Sequence, residues 1–130
     1  MGPGEEYAPH ALGAWGERHA AQALERRGWR ILARGYRFGR REVDLVARRG
    51  RVLAFVEVKT RAGEGFGQPE EAVTALKRRE IEAVARDFLL RHPTCDLDVR
   101  FDVIGIVVGA GRRIVRCTHV ADAWRPREAG

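Results

Sequence analysis

Two runs of β-forming residues, REVDLVA (41–47) and VLAFVEVKT (52–60), are separated only by RRGR, with Gly50 in the connection. A gap that short pairs the runs as an antiparallel hairpin, and glycine supplies the backbone freedom its turn needs. A glycine-rich loop, AGEGFGQ (62–68), follows. Then come a helical stretch, PEEAVTALKRREIEAVARDFLLRH (69–92), and a further strand, DVRFDVIGIVV (98–108). A strand, a helix and another strand in succession form a crossover that sets the two strands parallel. The chain therefore carries both kinds of pairing, and its sheet is mixed.

The remaining segments complete this sheet. Between Pro9 and Arg27, Leu12, Trp15, Gly16, Ala20, Ala23 and Leu24 recur at helical spacing, and Gly28 stands where a C-cap belongs. That spacing predicts a helix whose alanine-rich face packs closely on the sheet. WRILARGYR (29–37) reads as a strand. In the second helix Pro69 occupies the first turn, two acids suit the dipole, Pro93 ends it, and Val73, Leu76, Ile81, Val84 and Phe88 form the core stripe. RRIVRCTHV (112–120) is the last strand and ADAW (121–124) a closing turn of helix. The expected fold is α/β: a single domain over 9–125, a mixed central β-sheet flanked by helices, in the order α-β-β-β-α-β-β. Residues 1–8 read as a flexible tail and 126–130 as a C-terminal one.

A chain of 130 residues can bury one core. No apolar run approaches the ~20 residues of a membrane span, and the N-terminus lacks a signal-peptide pattern, so the expected location is cytoplasmic, away from membranes. Cys95 and Cys117 lack the spacing of a zinc site. With no serine in the chain, serine-nucleophile chemistry is excluded. The absence of asparagine and the arginine bias point to a thermophilic or GC-rich source. Net charge is +6 and the pI about 10.3, which suits a polyanionic partner, nucleic acid being the commonest; an arginine-preferring genome would raise the pI in the same way. Of 24 basic residues only Lys59 and Lys77 are lysines. A lysine at 59 selects a compact ammonium that can lose its proton, which arginine cannot do.

Strand side chains alternate, so Leu53, Phe55, Glu57 and Lys59 share one face and Val52, Ala54, Val56 and Val58 the other. A hairpin closed over Arg49–Gly50 pairs positions whose numbers sum to an odd value such as 99, with Glu42 opposite Glu57 and Asp44 opposite Phe55. Opposed and diagonal neighbours lie within about 8 Å, so Asp44, Glu57 and Lys59 converge, with Glu42 at the margin. Buried carboxylates repel each other and cost several kcal/mol each unless paired. A hard divalent cation, Mg²⁺ or Mn²⁺, resolves that conflict and carries a water that can become a nucleophile. Lys59 can orient or deprotonate that water or neutralise a phosphate. The competing reading is an ion-pair ladder on a wetted strand; Leu53 and Phe55 on the same face count against it.

Asp44 followed thirteen residues later by Glu57-Val58-Lys59 resembles the D…(D/E)xK signature of restriction-endonuclease-like nucleases. The wider chain resembles the YraN-like family of small bacterial proteins, which are similar to archaeal Holliday-junction resolvases. GAWGERHAAQAL, REVDLV, FVEVKTR, FGQPEEAV, RFDVIGI and ADAW follow in family order over about residues 13 to 124. The resemblance implies metal binding by Asp44 and Glu57, aided by the Val58 backbone carbonyl, with Lys59 as catalytic lysine. It implies Glu17 on the first helix as a further acidic ligand or water-orienting group. Arg41 replaces the family's usual glycine and Gly35 an asparagine. The Gln-x-x-x-Tyr of RecB-like nucleases is absent, Lys77 and Arg78 standing on that helix instead.

Arg61, Lys77 and Arg78 flank the site and are the expected phosphate contacts, against the alternative of a merely solvated helix face. Asp102 reads as a structural brace for Arg100 or the first helix, and His19, His92 and His119 as core or surface residues. Two functions remain open: a Mg²⁺- or Mn²⁺-dependent endonuclease on DNA, including branched or junction DNA, and a non-catalytic nucleic-acid-binding protein. Clustered acids facing a polyanion favour the enzyme. A resolvase usually works as a homodimer, although the sequence offers no decisive dimer surface.

Overall fold

The structure, a computed structural model, describes residues 9–63, 67–93 and 96–127. The N-terminal tail, the last three residues, the middle of the glycine-rich loop and Cys95 lie outside the described residues. The elements are α1 (Pro9–Arg26), β1 (Arg30–Phe38), β2 (Arg41–Arg49), β3 (Val52–Ala62), α2 (Ala75–Arg91), β4 (Asp98–Val108) and β5 (Ile114–Trp124). The five strands lie in the order β1-β2-β3-β4-β5. β3 and β4 run parallel, as the crossover requires, and the other neighbours are antiparallel.

The alternation of β3 divides the core in two. Ala54, Val56 and Val58 meet Leu12, Ala20, Ala21 and Leu24 of α1 on one face. Leu53 and Phe55 meet Ile81, Val84, Ala85 and Phe88 of α2 on the other. Gly28, at φ 89°, ends α1, and the Trp29 N–H closes the turn on the Leu24 carbonyl. Gly16 is the closest approach of α1 to the sheet: a Cβ there would come within 1.8 Å of Thr60 Oγ1 on β3.

Four local expectations are corrected. The hairpin pairs Arg49 with Val52 and Leu45 with Val56, so its numbers sum to 101 and not 99. Gly50, at φ 58°, sits in a two-residue connection over Gly50–Arg51, one residue later than the expected closure over Arg49–Gly50. The sum stays odd, so the division of faces survives. The second helix does not begin at Pro69. Pro69–Ala72 form a separate 3₁₀ turn, and α2 starts after Thr74, whose Oγ1 accepts the Lys77 N–H at 3.1 Å. That break rotates Leu76 out of the core stripe, leaving it 61% exposed. ADAW is strand, not helix. Asp102 Oδ1 accepts the Asp122 N–H at 2.9 Å, holding Asp122 at φ 52° in a bulge that lets Trp124 pair with Phe101.

Asp102 itself is fully buried. Burial opposes its charge, but hydrogen bonds from His119, Arg100 and the Asp122 N–H outweigh that and hold its pKa at about 2. Arg100, two residues back on the same strand, grips it at 3.0 and 2.8 Å, the brace expected from the sequence, while His119 and the Asp122 N–H tie it to β5. Cys117 is a free thiol on β5, and no helix is long and apolar enough to cross a membrane among the described residues.

Candidate active site

The site forms where the β2–β3 ladder ends. Regular pairing stops at Leu45 and Val56, and one residue beyond it Asp44 Oδ2 accepts the Val58 N–H at 2.7 Å. The carboxylate thus replaces a backbone acceptor and is fixed against β3. Glu57 precedes Val58 on the α2 face and is 3% exposed, while Lys59, two residues on, reaches it at 3.7 Å. Glu17 enters from α1, one residue after the glycine that lets the helix close onto Thr60.

Asp44 lies within hydrogen-bond reach of both glutamates. Two carboxyls can share such a contact only while one keeps its proton. Burial, then the Asp44 charge and the shared hydrogen bond, raise Glu57 to about 8, with Lys77 and Lys59 pulling it back. Burial, the Asp44 charge and hydrogen bond, and the more distant Glu42 raise Glu17 to about 7. Glu57 Oε1 is buried without a hydrogen-bond partner. An orphaned oxygen inside an acid cluster fits a cation better than it fits a packed core.

Among the described residues, no group of three His, Cys, Asp or Glu side chains forms a ready cage for a metal ion. Mg²⁺ does not require one, since it keeps most of its waters and takes one or two carboxylates. Asp44 and Glu57 are the residues that fit this role, and the Val58 group with a defined contact is its N–H, on Asp44.

Lys77 was expected to meet phosphate, yet its amine turns into the cluster. Nζ lies 3.9 Å from Glu57 Oε2 and donates to the Glu42 carbonyl at 3.4 Å. Both lysines of the chain therefore flank Glu57, a convergence that their rarity in the sequence could have signalled. Arg78 is engaged elsewhere: Nε donates to the Val73 carbonyl at 3.1 Å and Nη2 to the Glu70 carbonyl at 3.0 Å, with the guanidinium over Trp124. It latches the 3₁₀ turn to α2. Arg61, beyond Lys59 on β3, donates to the Thr60 carbonyl at 3.3 Å and borders a cavity described below. Glu42 pairs with Arg37 at 3.2 Å and lies opposite it on β1. Gly35, at φ 58°, occupies a left-handed position in β1, the conformation in which glycine and asparagine are interchangeable.

The architecture is thus a small α/β domain with an acid–lysine cluster between its two helices, where an antiparallel hairpin meets a parallel strand pair. The chain belongs to the uncharacterised protein family UPF0102, whose family model matches residues 16–106. It is similar to a UPF0102 protein of Chlorobium phaeobacteroides, 46% identical over 121 residues that cover 90% of this chain and 95% of the relative. Other relatives are UPF0102 proteins of Chlorobaculum tepidum, 47% identical over 77% of this chain and 78% of the relative, and of Anaeromyxobacter dehalogenans, 48% identical over 78% and 75%. The matched span contains Glu17, Asp44, Glu57, Lys59 and Lys77.

Proposed function

We propose that this chain is a divalent-metal-dependent endonuclease acting on DNA, with the D…ExK residues of a restriction-endonuclease-like site. The observation that carries the reading is Glu57: a buried carboxyl with an orphaned oxygen, held beside Asp44 and flanked by the only two lysines. Branched or junction DNA is the substrate that the resemblance to Holliday-junction resolvases implies.

Mg²⁺ or Mn²⁺ held by Asp44 and Glu57 would supply a Lewis acid and an acidified water. The protein's own groups do the rest. Lys59 places an ammonium beside Glu57, where it can offset the negative charge that builds on a phosphate under attack. Glu17, with a pKa raised to about 7, can accept a proton near neutral pH and orient a water against Asp44. Lys77 holds the Glu57 carboxylate from the opposite side. Arg61 and the basic surface supply phosphate contacts.

The test is incubation of the protein with plasmid, linear duplex, flap and four-way junction DNA, in Mg²⁺, in Mn²⁺ and in chelator. Metal-dependent cleavage of at least one substrate is expected. Binding to all of them without cleavage, at temperatures up to the melting point, would leave a nucleic-acid-binding module.

A further inference from the structure

On the α2 face of the sheet, the residues beyond Glu57 form two aligned rows. Lys59, Gly105 and Thr118 stand side by side across β3, β4 and β5, and Arg61, Val107 and Arg116 form the next row. The 3₁₀ turn overhangs the first row: a Cβ at Gly105 would lie 2.3 Å from Pro69 Cγ, so only glycine admits the turn there. Between the turn and the strands lies a cavity of about 320 Å³, bordered by Lys59, Arg61 and Arg116, with Gln68, Thr118 and Pro69 completing its walls.

We infer that this groove holds one nucleotide of a single DNA strand next to the bond being cut. The inference rests on reading the acid–lysine cluster as a phosphodiester-cutting centre. Lys59 belongs to both places, so a strand with its scissile phosphate at Lys59 runs directly into the groove. Among the described residues that border it, three are cations, Lys59 being shared with Glu57, and one is an acid, Glu71, a balance that suits a phosphate-bearing ligand. Pro69 and Ala72 offer apolar surface to a base, and Gln68, Glu71 and Thr118 offer hydrogen-bond groups to its edge. The volume lies at the small end of ligand sites, enough for a nucleotide and far too little for a duplex. A continuous double helix must therefore open before its strand can seat, whereas a flap, an overhang or a junction arm presents the strand already free.

Fluorescence anisotropy of a short labelled oligothymidylate, and of a duplex of the same length, reads the groove in chelator without any cleavage. Thr118→Phe fills the cavity and Arg116→Ala removes an exposed cation. Each should weaken oligothymidylate binding by about tenfold, the scale of one lost base or phosphate contact, and duplex binding by less than about twofold. Melting curves confirm that both variants are folded. Equal weakening for strand and duplex, no weakening for either, or thymidine monophosphate binding as tightly as the oligonucleotide would each overturn the proposal. Failure of the nuclease reading looks different: the wild type would bind the strand through the groove and cut nothing in Mg²⁺ or Mn²⁺.

Discussion

Lys77 Nζ lies 3.9 Å from Glu57 Oε2, a contact that runs from the first turn of α2 down onto β3. With Lys59 at 3.7 Å from the same oxygen, it supplies the positive charge that lets a buried glutamate ionise without metal. On the proposed metal-dependent reading, Lys77 competes with the cation for Glu57. Above pH 8, where Glu57 is ionised, Lys77→Met should tighten Mn²⁺ binding roughly fivefold, the ~1 kcal/mol of a unit-charge pair at 4 Å in water. Calorimetric titration checks this. Unchanged affinity would separate Lys77 from the metal site.

The raised carboxyls predict how metal-free stability depends on pH. Glu57 titrates near 8 and Glu17 near 7 when folded, against 4.5 for a free glutamate, so the folded state holds the extra protons between those values. Their stabilising contribution is complete below about pH 4.5 and is lost as pH rises toward 8. The melting temperature in chelator should fall by roughly 5 °C or more across that window. Mn²⁺ should restore it at pH 8, because the ion binds the deprotonated site. Glu57→Gln should flatten the curve and abolish the metal effect. A wild-type curve that is flat with and without Mn²⁺ would contradict the cluster.

Gly16 sets the distance between α1 and β3. Gly16→Ala should cost about 1–3 kcal/mol in urea denaturation, because its Cβ would overlap Thr60. It should also withdraw Glu17 and reduce cleavage in the molecules that remain folded. Thr60→Ala in the same chain should rescue only in part, since a Cβ–Cβ approach of 2.9 Å persists. Full stability in the single variant would show that the helix sits farther out.

Asp102 is the contrasting buried acid, held ionised by donors on all sides. Asp102→Asn should destabilise by about 3 kcal/mol, leaving Arg100 without its anion, while cleavage per folded molecule stays unchanged. Its pKa near 2 means that its contribution is present above about pH 4 and is lost only as pH falls toward 2. A loss of activity without a loss of stability would reassign it to the chemistry.

The topology was legible because periodicity and punctuation coincide in this chain. Period-2 runs around RRGR dictate the hairpin, and a helix between two strands dictates the parallel pair. The acids and Lys59 were legible because sums of 99 and of 101 both put Asp44 and Glu57 on one face, opposite or two residues apart. What pattern could not reach was set by single contacts. The Thr74 cap moves the start of α2 and exposes Leu76. The Asp102 bond to the Asp122 N–H turns ADAW from a helical pattern into a bulged strand. The reach of Lys77 depends on the approach of α2 to β3, which no local window contains. Arg78, expected on phosphate, donates to the Val73 and Glu70 carbonyls at the break before α2.

The central claim is that Asp44, Glu57 and Lys59 cut a phosphodiester with a divalent ion. The most direct measurement is the initial rate of DNA cleavage in Mn²⁺ for wild type, Glu57→Gln, Lys59→Ala and Lys59→Arg, with DNA affinity measured in parallel. The account predicts a rate that chelator abolishes, and that Glu57→Gln and Lys59→Ala lower by about 100-fold or more with affinity retained. Lys59→Arg should fall similarly if a compact or deprotonated amine is needed, and recover most of the rate if charge alone suffices. Cleavage that survives Glu57→Gln, or a folded wild type that binds DNA and never cuts it in either metal, would contradict the account.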